Sequence, residues 1–169
     1  MTTLLTEKAI QQRVDEMARD INAAYAGEPV LAVCVLKGAF LFHADLVRRL
    51  VGEVAVDFIQ VSSYGTEQRS SGIVQLKKDA DTSFEDRNVL LVEDIVDTGQ
   101  TLKHLRELFA TRRPKSLRVA ALLSKPSARV VEVDVDFLGF EIPNEFVVGY
   151  GLDSAEQYRN LGHIAVLGG

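Results

Sequence analysis

Chemistry concentrates in the stretch Val89-Leu-Leu-Val-Glu-Asp-Ile-Val-Asp-Thr-Gly-Gln-Thr-Leu102, where Glu93, Asp94 and Asp97 precede Thr98, Gly99, Gln100 and Thr101. The apolar run Val89–Val92 reads as a buried parallel strand, and Leu102, Leu105, Leu108 and Phe109 as a helix that Pro114 stops. The carboxylates therefore stand at the carboxyl edge of a sheet, where open α/β folds bind ligands. Gly99 lets backbone approach a ligand closely, the two threonines offer hydroxyls, and the following helix aims unpaired N–H groups at an anion. Together these make a cradle for one phosphate. Adjacent acids such as Glu93 and Asp94 accept hydrogen bonds from vicinal ribose hydroxyls or hold Mg²⁺ through water. Taken singly, each has a plainer alternative: a solvated acidic loop, with Asp97 as an ordinary helix N-cap. The segment is neither a Walker loop nor a dinucleotide-binding fingerprint, since Gly99 is its only glycine.

The rest of the chain alternates helices with strands. Ile10, Val14, Met17 and Ile21 follow a possible Thr6 cap at helical spacing. Val30–Leu36 reads as a strand, Lys37-Gly38 as a tight loop, and Leu41, Leu46 and Leu50 as the next helix. Within Glu53–Ser62, Val54, Val56, Phe58 (with Ile59) and Val61 alternate as a partly buried strand would, and Ile73–Leu76 can pair with it. Between these two lies the polar loop Ser62–Gly72, whose length suits an active-site lid or a merely mobile connection. Leu117–Leu123, Phe146–Tyr150 and Ile164–Leu167 supply further strands. This order predicts an α/β fold, a mainly parallel twisted sheet flanked by helices with right-handed crossovers.

Composition sets the limits. The 169 residues, 47% apolar and 25% charged, are the mixture of one globular domain, residues 1–169. The lone Cys34 sits in an apolar run and reads as a small buried hydrophobe in a reducing cytoplasm. A net charge of −5 gives no electrostatic reason to expect nucleic acid as a partner. No apolar run approaches the ~20 residues that span a bilayer, and Met1–Lys8 lacks the pattern of a secretory signal, so no membrane partner is expected. His43, His104 and His163 show no ligand spacing.

Glu93-Asp-Ile-Val-Asp-Thr-Gly99 resembles the phosphoribosyl-pyrophosphate signature of type I phosphoribosyltransferases, in the version found in the hypoxanthine-guanine enzymes. Leu36-Lys-Gly38, Ser62-Ser-Tyr-Gly65, Lys125, Phe137–Pro143, Phe146–Asp153 and Tyr158-Arg159 also look like segments of that family, in its order. The resemblance covers nearly the whole chain beyond the first helix. It implies the type I phosphoribosyltransferase fold, with a small hood over the base site formed by the terminal segments. It implies transfer of the 5-phosphoribosyl group to a 6-oxopurine, giving a nucleoside monophosphate and pyrophosphate in purine salvage, with Mg²⁺ as cofactor and a homodimer or homotetramer as the assembly.

Residue by residue, the resemblance gives Thr98, Gly99, Gln100 and Thr101 to the 5′-phosphate, and Glu93 and Asp94 to the ribose hydroxyls and the metal. Asp97 matches the catalytic position near N7 of the purine, where a carboxylate handles a proton. Lys37 and Gly38 match the loop that meets pyrophosphate, often through a cis peptide, and Ser63 and Tyr64 match substrate contacts in the lid segment. Arg159 matches a pyrophosphate contact and Asp153 a Mg²⁺ ligand. Phe146 would stack on the base, Val147 would read its edge through backbone, and Lys125 would donate to the oxygen on C6. Without the family pattern, Phe146 is an ordinary core aromatic and Lys125 a solvent-facing lysine. Ala39 and Gln100 depart from the commonest pattern, which often has glycine and lysine there. Two rivals are a nucleotide-sensing RNA-binding regulator on the same fold, which the charge does not advertise, and an enzyme for another base.

Overall fold

The computed structural model describes residues 1–63 and 74–168. Its main sheet is built from the apolar runs: β2 (Val30–Leu36), β3 (Val54–Ser63), β4 (Val74–Lys78), β5 (Asn88–Val96), β6 (Ser116–Ser124) and β7 (Phe137–Glu141). Their order is β4-β3-β2-β5-β6-β7, with β4 antiparallel and the other pairings parallel. The chain leaves β2 for β3 on one side, while β5 lies on the other, so the sheet changes direction between β2 and β5. A crevice opens at the carboxyl ends of such a pair because their connections diverge to opposite sides. Lys37-Gly38 and Glu93–Gly99 emerge at that point.

Helices cover both faces. Helix α1 (Glu7–Tyr25) starts as its sequence asks, with the Thr6 hydroxyl accepting from Ala9 N–H at 3.1 Å. Its stripe Ile10, Val14, Met17 and Ile21 packs with Phe42 and Leu46 of α2 (Phe40–Val47) on Leu90, Val92 and Leu122. On the opposite face, α3 (Gln100–Ala110) brings Leu102, Leu105 and Phe109 against Leu31, Val33, Leu91 and Val119. The continuous apolar reading of β5 follows from this double cover.

The terminal segments form a second sheet in the order β1-β9-β8, from β1 (Thr2–Leu5), β9 (Ile164–Val166) and β8 (Val147–Val148). Strand β1 carries no apolar alternation long enough to be read from sequence. The expected strand Phe146–Tyr150 shortens to Val147–Val148, because Gly149, Tyr150 and Gly151 all take positive φ (101°, 48° and 99°) and leave the extended region. Strand β3 also corrects an expectation. Asp57 and Ile59 point into the protein, while Val56 and Phe58 stay 48% and 37% exposed. Asp57 is buried because it accepts backbone N–H groups of Phe58 and Thr82, at 2.7 and 2.8 Å.

Candidate active site

Asp97, Thr98 and Gly99 form the turn between β5 and α3. Gly99, not Asp97, is the N-cap of α3, so the capping alternative for Asp97 does not hold. The turn requires glycine: φ is +88°, and a Cβ there would fall 2.8 Å from the Val131 carbonyl oxygen. Asp97, Thr98, Gly99 and Thr101 line one recess together with Glu93, Ile95, Val96 and Leu102. Gln100 opens the helix, its N–H 3.3 Å from the Thr98 hydroxyl.

A neighbouring recess is lined by Ile95, Asp97, Lys125, Phe146, Val147, Leu152 and Asp153. Lys125 is buried, with Nζ 3.8 Å from the Asp97 carboxylate, so it is no solvent-facing lysine. Phe146 is 56% exposed beside this recess, so it is no core aromatic either. Ile95 and Asp97 line both recesses and join them.

Glu93 is buried, and its Oε1 accepts from Asp94 N–H at 3.2 Å. Burial first, and then the adjacent Asp94 charge, push Glu93 well above the ordinary carboxylate range; burial raises Asp94 as well. The same surroundings act on Cys34, whose thiol is pushed up to about 12 by burial and by these two carboxylates. It is an inert, packed thiol.

The Leu36–Lys37 peptide is cis. Gly38, next along, is enclosed from two sides: a Cβ would fall 1.8 Å from Asp94 Oδ2, and one on Gly151 would fall 2.1 Å from the Gly38 carbonyl oxygen. Arg159 fastens the Gly151 turn, donating through Nη1 to Gly151 O at 2.7 Å while Gly151 N–H donates to Arg159 O at 2.9 Å. The same guanidinium pairs with Asp153 at 3.3 Å and Glu156 at 3.0 Å, and Lys37 reaches Glu156 at 3.4 Å. Arg159 first, and then Lys37, hold the Glu156 carboxyl below its usual range.

The fold thus gathers Lys37, Gly38, Glu93, Asp94, Asp97, Thr98, Gly99, Gln100, Thr101, Lys125, Phe146, Val147, Asp153 and Arg159 at one end of the sheet and its neighbouring hairpin. Tyr64 lies outside the described residues, and Ser63 is described in backbone alone. Most of the loop Ser62–Gly72 likewise falls outside them. Sequence reading missed Glu156, which sits between two cations, and Arg129, which donates to the Val96 and Asp97 carbonyls at the start of the turn. A single acidic or basic residue on a polar loop carries no spacing signal that would have found either. Among the described residues no group of three or more His, Cys, Asp or Glu side chains is arranged to hold a metal ion. Glu93, Asp94 and Asp153 carry hard oxygen donors, of which a Mg²⁺ ion that also takes water and substrate oxygens needs only one or two.

A switch-point crevice, paired acids and a one-glycine turn between strand and helix are the setting of a ligand site in an α/β fold, and the chain belongs to the phosphoribosyltransferase family, whose phosphoribosyl transferase domain matches residues 1–155. Within that family it is 49% identical over 164 residues to the hypoxanthine-guanine phosphoribosyltransferase of Bacillus subtilis (strain 168), covering 97% of this chain and 91% of that one. The crystal structure of a hypoxanthine-guanine phosphoribosyltransferase from Bacillus anthracis, with a HEPES molecule in its active site, superposes with a TM-score of 0.96 at 44% identity, covering 99% of each chain. A Staphylococcus aureus hypoxanthine phosphoribosyltransferase superposes at 0.94 and 43%, covering 98% of this chain and 90% of that one.

Proposed function

We propose that the chain transfers the 5-phosphoribosyl group of phosphoribosyl pyrophosphate to hypoxanthine, and to guanine, giving the nucleoside 5′-monophosphate and pyrophosphate in purine salvage. One observation carries this reading: Asp97 lines both the anion recess and the recess of Lys125 and Phe146, so a base in one and a phosphate in the other meet across it. A purine nitrogen attacks C1′ as the bond to pyrophosphate breaks, and positive charge develops on the ribose. The Asp97 carboxylate takes the purine proton and faces that charge, so positioning and electrostatics supply most of the acceleration. Thr98, Gly99, Gln100 and Thr101 hold the 5′-phosphate, and Glu93 and Asp94 the ribose hydroxyls. Lys37, Gly38 and Arg159 receive pyrophosphate; a guanidinium suits that bidentate task. Phe146 stacks on the base and Val147 reads its edge. Lys125 donates to the C6 oxygen, and Ser63 and Tyr64 complete the substrate contacts.

Glu93, Asp94 and Asp153 would hold Mg²⁺ with the help of substrate oxygens, and the chemistry it would supply there is positive charge against phosphate oxygens. Association into a homodimer or homotetramer belongs to the same reading. Phe40, Val56 and Phe58 leave apolar surface that a second copy would cover. The reading places the protein in the cytoplasm, where a free Cys34 stays reduced. No helix among the described residues is long and apolar enough to cross a membrane.

Steady-state assays of hypoxanthine, guanine, xanthine and adenine with phosphoribosyl pyrophosphate and Mg²⁺ test the reading. Nucleotide forms from the first two. Folded protein that makes none from any of the four overturns it.

A further inference from the structure

Arg129 lies outside the residues that any motif singles out, on the short segment after the helical turn Pro126–Ala128. Strands β5 and β6 end their ladder at Val96 opposite Ser124. Beyond that last rung, the Arg129 fork spans both strand ends: Nη1 donates to Val96 O at 3.1 Å and Asp97 O at 2.8 Å, and Nη2 donates to Ser124 Oγ at 2.6 Å. All three acceptors are neutral oxygens. The backbone that follows completes the grip, since Val130 and Val131 N–H groups donate to Thr98 O at 2.9 and 3.2 Å. Contact is close enough that a side chain at Gly99 would meet the Val131 carbonyl at 2.8 Å and Arg129 Cδ at 3.0 Å.

From this geometry we infer that Arg129 is a positioning residue for 5′-phosphate binding: its fork holds the Asp97–Gly99 turn against the β6 strand end, and so fixes where the turn's N–H groups and hydroxyls point. The inference rests on the reading of residues 98–101 as the 5′-phosphate cradle. The physical reason is that other restraint there is partial: Val96 O also accepts from Lys125 N–H at 2.9 Å, and the fork extends that hold to the Asp97 carbonyl and ties it to Ser124 Oγ. The turn has left the β5–β6 ladder and has not yet entered α3, so its carbonyls depend on donors from elsewhere. A planar guanidinium reaches acceptors on both strands at once, whereas a lysine ammonium, a single point on a flexible stem, cannot bridge them. A shift of about 1 Å in such a cradle costs up to ~10²-fold in binding or rate.

The test compares the affinities of inosine 5′-monophosphate and inosine for the full-length protein by calorimetry, in wild type, Arg129→Gln, Arg129→Lys, Ser124→Ala and Thr101→Val. Both Arg129 variants should lose about 10-fold or more of the preference for the phosphorylated ligand, with inosine binding changed by less than about 3-fold. Ser124→Ala, a small change at one end of the fork, should move the preference the same way. A merely structural Arg129 would lower Tm and leave the preference untouched, which overturns the inference, as does a wild-type preference in Arg129→Lys. If the Arg129 variants do not fold, an unchanged preference in Ser124→Ala overturns it. A preference that is absent in wild type, or indifferent to Thr101→Val, overturns the cradle reading itself and the inference with it.

Discussion

The Asp94 carboxylate stands where a side chain on Gly38 would begin: a Cβ there would fall 1.8 Å from Oδ2 and 2.8 Å from Cγ. Asp94 lies near the carboxyl end of β5 and Gly38 on the turn after β2, so the contact couples the acidic pair on β5 to the Lys37-Gly38 turn. Glycine at 38 is a requirement of packing rather than of backbone freedom.

Gly38→Ala should therefore destabilise the protein by about 1–3 kcal/mol through overpacking and abolish most activity. Adding Asp94→Ala removes the conflicting oxygen, leaving Cβ to meet Cβ at an ordinary 3.5 Å. Denaturant melts of the two single variants and the double variant should show an interaction term of at least ~0.5 kcal/mol in the restoring direction. Simple additivity would mean that the carboxylate is not what excludes a side chain.

Asp97→Asn should lower kcat by roughly 10²–10⁴ while leaving Tm close to wild type. The half-exposed Asp97 side chain caps no helix, and its ion pair with Lys125 spans 3.8 Å. Single-turnover rates with hypoxanthine check this. An unchanged rate would remove Asp97 from the chemical step.

In the proposed function Lys125 would carry the preference for a C6 oxygen, because an ammonium has only donors and offers nothing to the amino group of adenine. A buried polar mismatch discriminates by about 10⁴–10⁵. Lys125→Gln presents either an amide oxygen or an amide nitrogen, so it should lower kcat/KM for hypoxanthine and narrow the gap to adenine. The ratio of the two kcat/KM values is the measurement, and a wild-type ratio in a folded variant would exclude Lys125 as the reader.

Glu93 should make the ligand-free protein less stable as pH rises. Its carboxyl is raised in the folded state by burial and by Asp94, so the folded chain holds this proton more tightly than the unfolded chain. Its contribution is most favourable below the ordinary glutamate range and declines as pH climbs from there toward the raised folded value. Glu93→Gln should accordingly raise the Tm of the ligand-free protein at neutral pH, by about 2–4 °C per kcal/mol relieved, and converge with wild type in acid. Activity should fall in the same variant, whose amide is a poorer partner for ribose hydroxyls and metal. A lower Tm at neutral pH would show that the charged form is welcome in the fold.

The sequence by itself determined the periodic elements and the residues that follow them. Apolar runs at Val30–Leu36 and Val89–Val92 and the helical stripe from Ile10 to Ile21 are local patterns, legible because burial on one or both faces imposes a period that nearby residues must share. The turn between β5 and α3 was legible for the same reason: its carboxylates, glycine and threonines are contiguous, and a strand before and a helix after set their orientation. The tertiary structure alone decided what depends on distant segments. It placed Lys125 beside Asp97, left Phe146 exposed beside the recess instead of in the core, buried Asp57 rather than Val56, and drew Asp94 onto Gly38 and Arg129 onto the Asp97 and Val96 carbonyls. Each of these outcomes turns on which neighbour a strand or loop acquires. No local period encodes that choice, because it is settled by sheet order and by where donors for unpaired backbone groups come to lie.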